Sequence, residues 1–333
     1  MHRLDIFITE ELAGQSVGQV ARAHAGMSRK GLSSAKYRDD GILLDGERVH
    51  TDVLVQTGQR LSITLDDAPS RLAAHSVIPQ DPPAWFEPAL VFEDADLLIL
   101  NKPAGLVMYP NTGHSQHTLG NCVMGYMQQR GRSCVLHPVQ RLDKGTSGLV
   151  VFATNAHAQH VLSQALHTNA FERRYLAFCA GVLPLEKGIV DVPLDILTRK
   201  PNTYGVSATG KRAVTHYEVV ARTAGAATIP NAAGANDASD PAPATLVSLR
   251  LETGRTHQIR IHMAHIGHPL LGDATYGGPQ VPEFNRPALH SAFVRFIHPA
   301  TGTSCQFNAP LPDDFQQFAQ QHSVLFYDKV TEQ

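Results

Sequence analysis

Cysteine is scarce in this sequence, and the four present, Cys122, Cys134, Cys179 and Cys305, are widely spaced. Such spacing builds neither a disulfide framework nor a zinc knuckle, and it fits reduced thiols in a cytoplasmic protein. Long apolar runs are absent as well. Nothing approaches the roughly 20 residues of a membrane helix, so no membrane partner is expected. The opening MHRLDIFITEE is too charged for a signal peptide. A surplus of charge is also missing. With a formal net charge of −2, any nucleic-acid partner has to be met by a local basic patch. There is no Gly-rich phosphate loop of either common kind. GTSGL lacks the flanking glycines of a serine-hydrolase elbow, which argues against Ser147 as a nucleophile. What remains is an ordinary soluble composition, 43% hydrophobic and 17% charged over 333 residues, enough to bury a large core and form two domains.

Residues 1–67 read as a small α+β unit. SVGQVARAHA predicts a short helix, and SRKGLSSAKYRDDG a second one capped by Ser28 and closed by Gly41. Asp45-Gly46 predicts a tight turn between short strands, and QTGQRLSITL a further strand. Arg29, Lys30, Lys36 and Arg38 concentrate on the helical half. They are either a solvated helix face or a phosphate-binding one. Residues 68–88, rich in proline and alanine without periodicity, read as a linker. A larger domain, 89–323, follows. It opens with a strand at Leu97–Leu100 and a Lys-Pro-Ala-Gly turn that contains Lys102. Asn155 caps a helix with Val161, Leu162, Ala165 and Leu166 on one side. THYEVV and TLVSLRLE read as strands. The biased stretch between them, about residues 225–242, reads as a flexible surface loop.

Three stretches hold candidate chemistry. In HPVQRLDKGTSGLVVF, Arg141, Asp143 and Lys144 sit on a Gly/Thr/Ser turn that runs into an apolar strand. That is either a solvated turn with a structural salt bridge or a carboxylate presented at the end of a rigid strand. ETGRTHQIRIHMAHIGHPLLGDATYG carries Arg255, His257, Arg260, His262, His265, His268 and Asp273, and reads as a strand end passing into a loop. The spacing of His262, His265 and His268 invites a metal. Histidines paired with backbone groups or phosphates explain it more cheaply, so no metal is expected. The two arginines of RTHQIR suit an anion or a carboxylate, with Asp143 the candidate partner. FERRYLAF places Tyr175 after two arginines at a helix end. There it is either an aromatic plug or a ring stacked on a flat substrate.

These residues carry a resemblance. QRLDKGTSGLVVFA resembles the signature of the RluA-type RNA pseudouridine synthases, HRLDxxTSGLLVxA. LETGRTHQIRIHMAHIGHPLLGDATYG resembles their second long signature. NKPAGLVMYP, RRYLAF, KRAVTHYEV and ALHSAFVRFIHP match smaller blocks in the right order, so the likeness covers roughly residues 90–300. The first sixty-odd residues are similar to an S4-like RNA-binding module. Gln140 and Tyr109 depart from the family, which usually has His at the first position and commonly at the second.

The resemblance implies an α+β fold with a mixed, largely antiparallel sheet, flanking helices and a central cleft. It implies isomerisation of uridine to pseudouridine in RNA, without metal or cofactor. The implied substrate is large-subunit ribosomal RNA, with transfer RNA as the alternative, and the protein would act as a monomer. Asp143 is implied as the catalytic carboxylate, Arg260 as its partner and Tyr175 as the ring against the base. Arg141, Lys102, Thr146, Arg255 and His257 are expected to contact substrate, and Arg29, Lys30, Lys36 and Arg38 to contact RNA from the first unit. The competing classes are an RNA-binding protein that kept the fold without catalysis, and a metal-dependent hydrolase built on the histidine run.

Overall fold

A computed structural model of the chain describes residues 3–65, 78–110, 116–132, 135–168, 170–199, 202–223 and 243–324. The loop expected at 225–242 and Cys134 fall outside them. Among the described residues no helix is long and apolar enough to cross a membrane.

The first unit runs β1 (Arg3–Phe7), α1 (Val17–Gln19), a π turn at Val20–His24, α2 (Arg29–Lys36), β2 (Ile42–Leu44), β3 (Glu47–Arg48) and β4 (Arg60–Thr64). The strands form an antiparallel sheet in the order β1-β4-β2-β3. Ser28 caps α2, accepting a hydrogen bond from the Gly31 backbone N–H. Asp45 and Gly46 both take positive φ, 52° and 88°, as a two-residue hairpin turn of the primed type requires. Leu4, Ile6, Val17, Val20, Leu32, Ile42, Leu61 and Ile63 close a core of this unit's own.

The larger unit begins earlier than residue 89, which corrects the expected linker boundary. Phe86 is fully buried, with Trp85 packed beside it, in the same core as Leu98, Val123 and Phe152. The Gln80 backbone N–H donates to the Asn121 carbonyl. Proline and alanine mark an irregular segment here, and two aromatic anchors dock it on the domain. The elements that follow are α3 (Phe86–Ala89), β5 (Leu90–Glu93), β6 (Leu97–Lys102), α4 (Leu119–Gln129), β7 (His137–Pro138), β8 (Ser147–Ala153), α5 (Ala156–His167) and β9 (Glu172–Ala180). Next come β10 (Lys187–Asp191), β11 (Leu194–Arg199), β12 (Asn202–Val206), β13 (Val214–Arg222) and β14 (Ala244–Leu251). The chain ends with α6 (Gln258–His265), β15 (Leu289–Ile297), β16 (Ser304–Asn308) and α7 (Asp313–Gln321).

Ten strands make one mixed sheet, ordered β10-β13-β14-β9-β15-β8-β6-β5, with β16 on β15 and β7 on β8; β11 and β12 form a separate hairpin. Among the described residues its pairings are antiparallel except β15 with β8. The run Leu149-Val150-Val151-Phe152 is buried on both faces because β8 lies mid-sheet. Leu149 and Val151 face a core that contains Ala158 and Leu162 of α5. Val150 and Phe152 face the core that contains α4. The parallel step places Ser147 opposite His290 and Gly148 opposite Ser291.

Gly148 has no substitute at that step. Its φ is +106°, and a Cβ would lie 2.2 Å from the Ser291 carbonyl oxygen. Gly148→Ala is expected to cost at least about 3 kcal/mol, roughly 10 °C in melting temperature, from backbone strain and the clash together. Scanning calorimetry reads this directly. A loss under 2 °C, on the same scale of about 2–4 °C per kcal/mol, would mean that the strands part without cost.

Candidate active site

The turn before β8 is braced from behind. Its Asp143 carbonyl accepts from the Thr146 N–H at 3.0 Å, and its Lys144 carbonyl accepts from the Gly105 N–H at 2.8 Å. Lys102, fully buried, points its ammonium at the carbonyls of Pro103, Leu106 and Lys144, at 2.9, 3.0 and 3.4 Å. Burial, followed by the charge of Arg286, pulls its pKa down to about 7, against the opposing pull of Asp143. An ammonium enclosed by backbone reaches no ligand, so the expected substrate contact of Lys102 is corrected to a brace for the turn. Arg286 donates to the Gly145 carbonyl at 3.1 Å and grips Asp314 of α7 through two nitrogens, at 2.7 and 2.9 Å.

Held this way, Asp143 faces a cleft of about 520 Å3. Arg141, Thr146, Tyr175, Arg255, His257 and Arg260 line the same cleft. Seven of the sequence-expected residues, Asp143 included, therefore converge. Lys102 lies behind the wall, and Arg29, Lys30, Lys36 and Arg38 belong to the first unit. Arg29, Lys30 and Lys36 are exposed there and Arg38 is half-buried.

Two expected local structures differ. The stretch after Thr256 is a helix, α6, whose N-cap His257 holds φ at +55°. Polar residues on most sides masked its periodicity, and the strain at a non-glycine cap is of the kind that collects at functional sites. Tyr175 lies mid-strand in β9, paired with Leu249 and Ser291, because the preceding helix stops at His167.

The electrostatics are layered. Arg260 is gripped by Asp273, with Nε to Oδ2 and Nη2 to Oδ1 both at 2.7 Å. Its remaining Nη1 lies 3.7 Å from Asp143 Oδ2. His257 Nε2 approaches the same oxygen at 3.8 Å. The expected pairing of Arg260 with Asp143 is thus a second, looser contact, and Asp273 is the close partner. Among the described residues Asp143 accepts no hydrogen bond. Tyr276, half-buried, lies 2.8 Å from His257 Nδ1 in a hydrogen bond and has the Arg260 guanidinium 4.9 Å from its ring centre. Burial pushes its phenol up to about 12. Burial lowers the pKa of His257, against the pull of Asp143. Burial, reinforced by the Asp143 charge, raises that of Tyr175, so both tyrosines keep their protons at neutral pH.

Sequence reasoning did not assign roles to Asp273, Tyr276 or Gln258. Gln258 Oε1 accepts from Thr253 Oγ1 and the Arg255 N–H, while its Nε2 donates to the Val214 carbonyl and Thr215 Oγ1. It ties the cleft loop to β13. The GDATYG end of the second signature was the available signal for Asp273 and Tyr276. The histidine run does not converge: His262 binds the Val192 carbonyl, His268 the Ala180 carbonyl, and His265 is exposed. Among the described residues the convergent His/Asp group is Asp94, Asp96 and His298. His298 Nδ1 accepts from the Ala300 and Thr301 N–H groups, so its Nε2 carries the proton and donates to Asp94 at 2.8 Å. That is a loop clasp.

The RNA pseudouridylate synthase family model matches residues 96–265, which include Asp143, Tyr175, His257 and Arg260. The chain is also 35% identical over 313 residues to the uncharacterized RNA pseudouridine synthase YhcT of Bacillus subtilis, covering 94% of this chain and 95% of that one. The chain belongs to the RNA pseudouridine synthase family. This synthase is 33% identical over 318 residues to the ribosomal large subunit pseudouridine synthase D of Pseudomonas aeruginosa, covering 92% of this chain and 91% of the relative. Its fold matches human RNA pseudouridylate synthase domain containing 4 with a TM-score of 0.56 at 20% identity, over 73% of this chain and 96% of that one. The enzyme is an isomerase of the RluA type, with the α+β architecture of its structural neighbours.

Proposed function

We propose that this synthase modifies uridines of large-subunit ribosomal RNA, and that Asp143 is its catalytic carboxylate. The observation that carries the second part is the presentation of Asp143. It is an anion in the cleft, flanked by two basic side chains on one oxygen and hydrogen-bonded by none among the described residues. Its lone pairs are free to attack or to take a proton. The reaction breaks the bond from N1 of uracil to C1′ of the ribose, turns the base and forms the bond from C5 to C1′. The C5 proton then leaves and N1 regains one. Attack on the base, attack on the sugar and removal of a ribose proton all use the same anion. The target base has to leave its stack to reach the cleft. Tyr175 offers a neutral ring and a hydroxyl to the base, and Arg260 holds Asp143 by charge while Asp273 fixes the guanidinium. Exposed Arg141 and Arg255 meet phosphates at the rim.

The ribosomal assignment is supported by the Pseudomonas relative, aligned along nearly the full length. Mapping pseudouridines in ribosomal and transfer RNA from cells with and without the gene tests it. Sites lost only from transfer RNA would overturn it.

Residues 1–67 serve as an S4-like RNA-binding unit in this reading. Arg29, Lys30 and Lys36 make no ion pair among the described residues, and Tyr37 beside them is 81% exposed, an open face for stacking. Changing these three cations to Gln is expected to raise the RNA concentration for half-saturation, to leave the maximal rate within about twofold, and to reduce the salt slope of binding by about 2–3. RNA titrations at several salt concentrations check this. An unchanged slope would assign the helix face to solvent.

A further inference from the structure

Among the described residues, one buried cation of the cleft has no protein partner. Arg173 lies on β9, two residues before Tyr175 and on the same face, and lines the cleft with it. It is only 7% exposed, and its Nε is sealed from solvent with no acceptor. Three arginines around it are engaged. Arg174, on the opposite face, pairs with Glu172 at 2.6 Å and lies over the Phe293 ring. Arg212 pairs with Glu252 at 3.3 Å, and Arg260 with Asp273 at 2.7 Å. Among the described residues no carboxylate lies within ion-pair range of Arg173.

A buried, unpaired charge is costly unless something compensates it. The cleft loop is cut to admit the group. Gly254 leaves its Cβ position 3.2 Å from Arg173 Nη1 and 4.0 Å from Nη2, so any other residue there would press on the guanidinium. The planar fork suits a phosphate or carboxylate that accepts from two nitrogens. The strand brought into this cleft carries anions only as phosphodiesters.

We propose that Arg173 is the deep phosphate-binding residue of this enzyme, holding the phosphodiester beside the nucleotide presented to Asp143. The proposal rests on the RNA-isomerase reading of the cleft and adds to it the group that fixes the strand at depth. Arg141 and Arg255 engage phosphates at the rim, where salt screens them. Arg173 engages one where water is excluded and the interaction is stronger.

The test uses the full chain and three variants, Arg173→Met, Arg173→Lys and Gly254→Ala. The RNA probe is an unmodified transcript of large-subunit ribosomal RNA. Arg173→Met is expected to melt at the same temperature as wild type or higher, since it removes an unpaired charge at similar volume. Its RNA affinity should fall at least tenfold, and its salt slope by about 0.7–0.9, the value of one phosphate contact. Arg173→Lys should restore the slope and part of the affinity. Gly254→Ala should weaken binding with the charge intact. A Met variant that melts lower and binds with unchanged slope would make Arg173 a structural residue and overturn the proposal. A second arm needs no activity: inorganic phosphate should raise the melting temperature of wild type and of the Lys variant but not of the Met variant. Equal protection of all three would overturn the proposal. If wild type forms no pseudouridine in the transcript, the ribosomal reading fails, and the phosphate arm still decides the role of Arg173.

Discussion

Asp143→Asn is expected to abolish pseudouridine formation, to below about one part in a thousand of the wild-type rate, and to leave the melting temperature within about 3 °C. The two halves of this result have separate causes. The amide keeps the shape of the side chain but cannot carry the charge that all three chemical routes require. Stability hardly changes because little rests on that charge. The side chain is 25% exposed, its basic neighbours approach only to 3.7 and 3.8 Å, and it accepts no hydrogen bond among the described residues. Loose, partly solvated pairs contribute about 1 kcal/mol or less. The turn around Asp143 is held by backbone carbonyls and by Lys102 and Arg286, none of which uses the carboxylate. The measurement is a single-turnover assay on transcribed ribosomal RNA beside a calorimetric scan. A variant within tenfold of wild type would remove Asp143 from the chemistry. A variant that unfolds would show the carboxylate to be structural.

This separation explains which parts of the site were legible in the sequence. The strand Leu149–Phe152 and the charged turn before it were visible because burial on both faces writes a continuous apolar run, and because charges beside such a run have no packing reason to be there. The helix caps at Ser28 and Asn155 and the Asp45-Gly46 turn were local codes, and they operate as read. Helix α6 was not legible. Its exposed and buried faces both carry polar side chains, since Gln258 and Arg260 are buried to serve the cleft and His262 is buried against the Val192 carbonyl. A helix that buries polar groups for function loses the pattern by which helices are recognised. The strand position of Tyr175 was obscured in a similar way, by two arginines that work on opposite faces of β9. Lys102 shows the converse. A lysine in a turn suggests a surface ligand, and nothing local reveals that three carbonyls enclose it. The grip of Asp273 on Arg260 spans 13 residues and depends on a helix followed by a return loop. Only the assembled fold decides which carboxylate the arginine takes first.

That order of preference gives the other large effect. Arg260→Ala is expected to end catalysis and also to destabilise the fold by about 3–5 kcal/mol, because Asp273, 1% exposed, is left as a buried anion without its cation. Loss of activity in this variant alone is therefore uninformative. The double variant Arg260→Met, Asp273→Leu separates the roles. It removes both charges and refills the volume with apolar atoms, a replacement that is often neutral or stabilising for buried ion pairs. It should regain most of the melting temperature lost in the single variant and remain inactive, since Asp143 no longer has a fixed positive charge 3.7 Å from its carboxylate. Arg260 can stand near Asp143 without collapsing onto it because Asp273 already holds two of its nitrogens at 2.7 Å. Asp273→Asn should loosen that hold, let the guanidinium close on Asp143, and slow turnover more than it weakens RNA binding. Calorimetry and single-turnover rates on the three variants decide the matter. A double variant that is stable and within tenfold of wild-type activity would show that the charge of Arg260 serves only the fold.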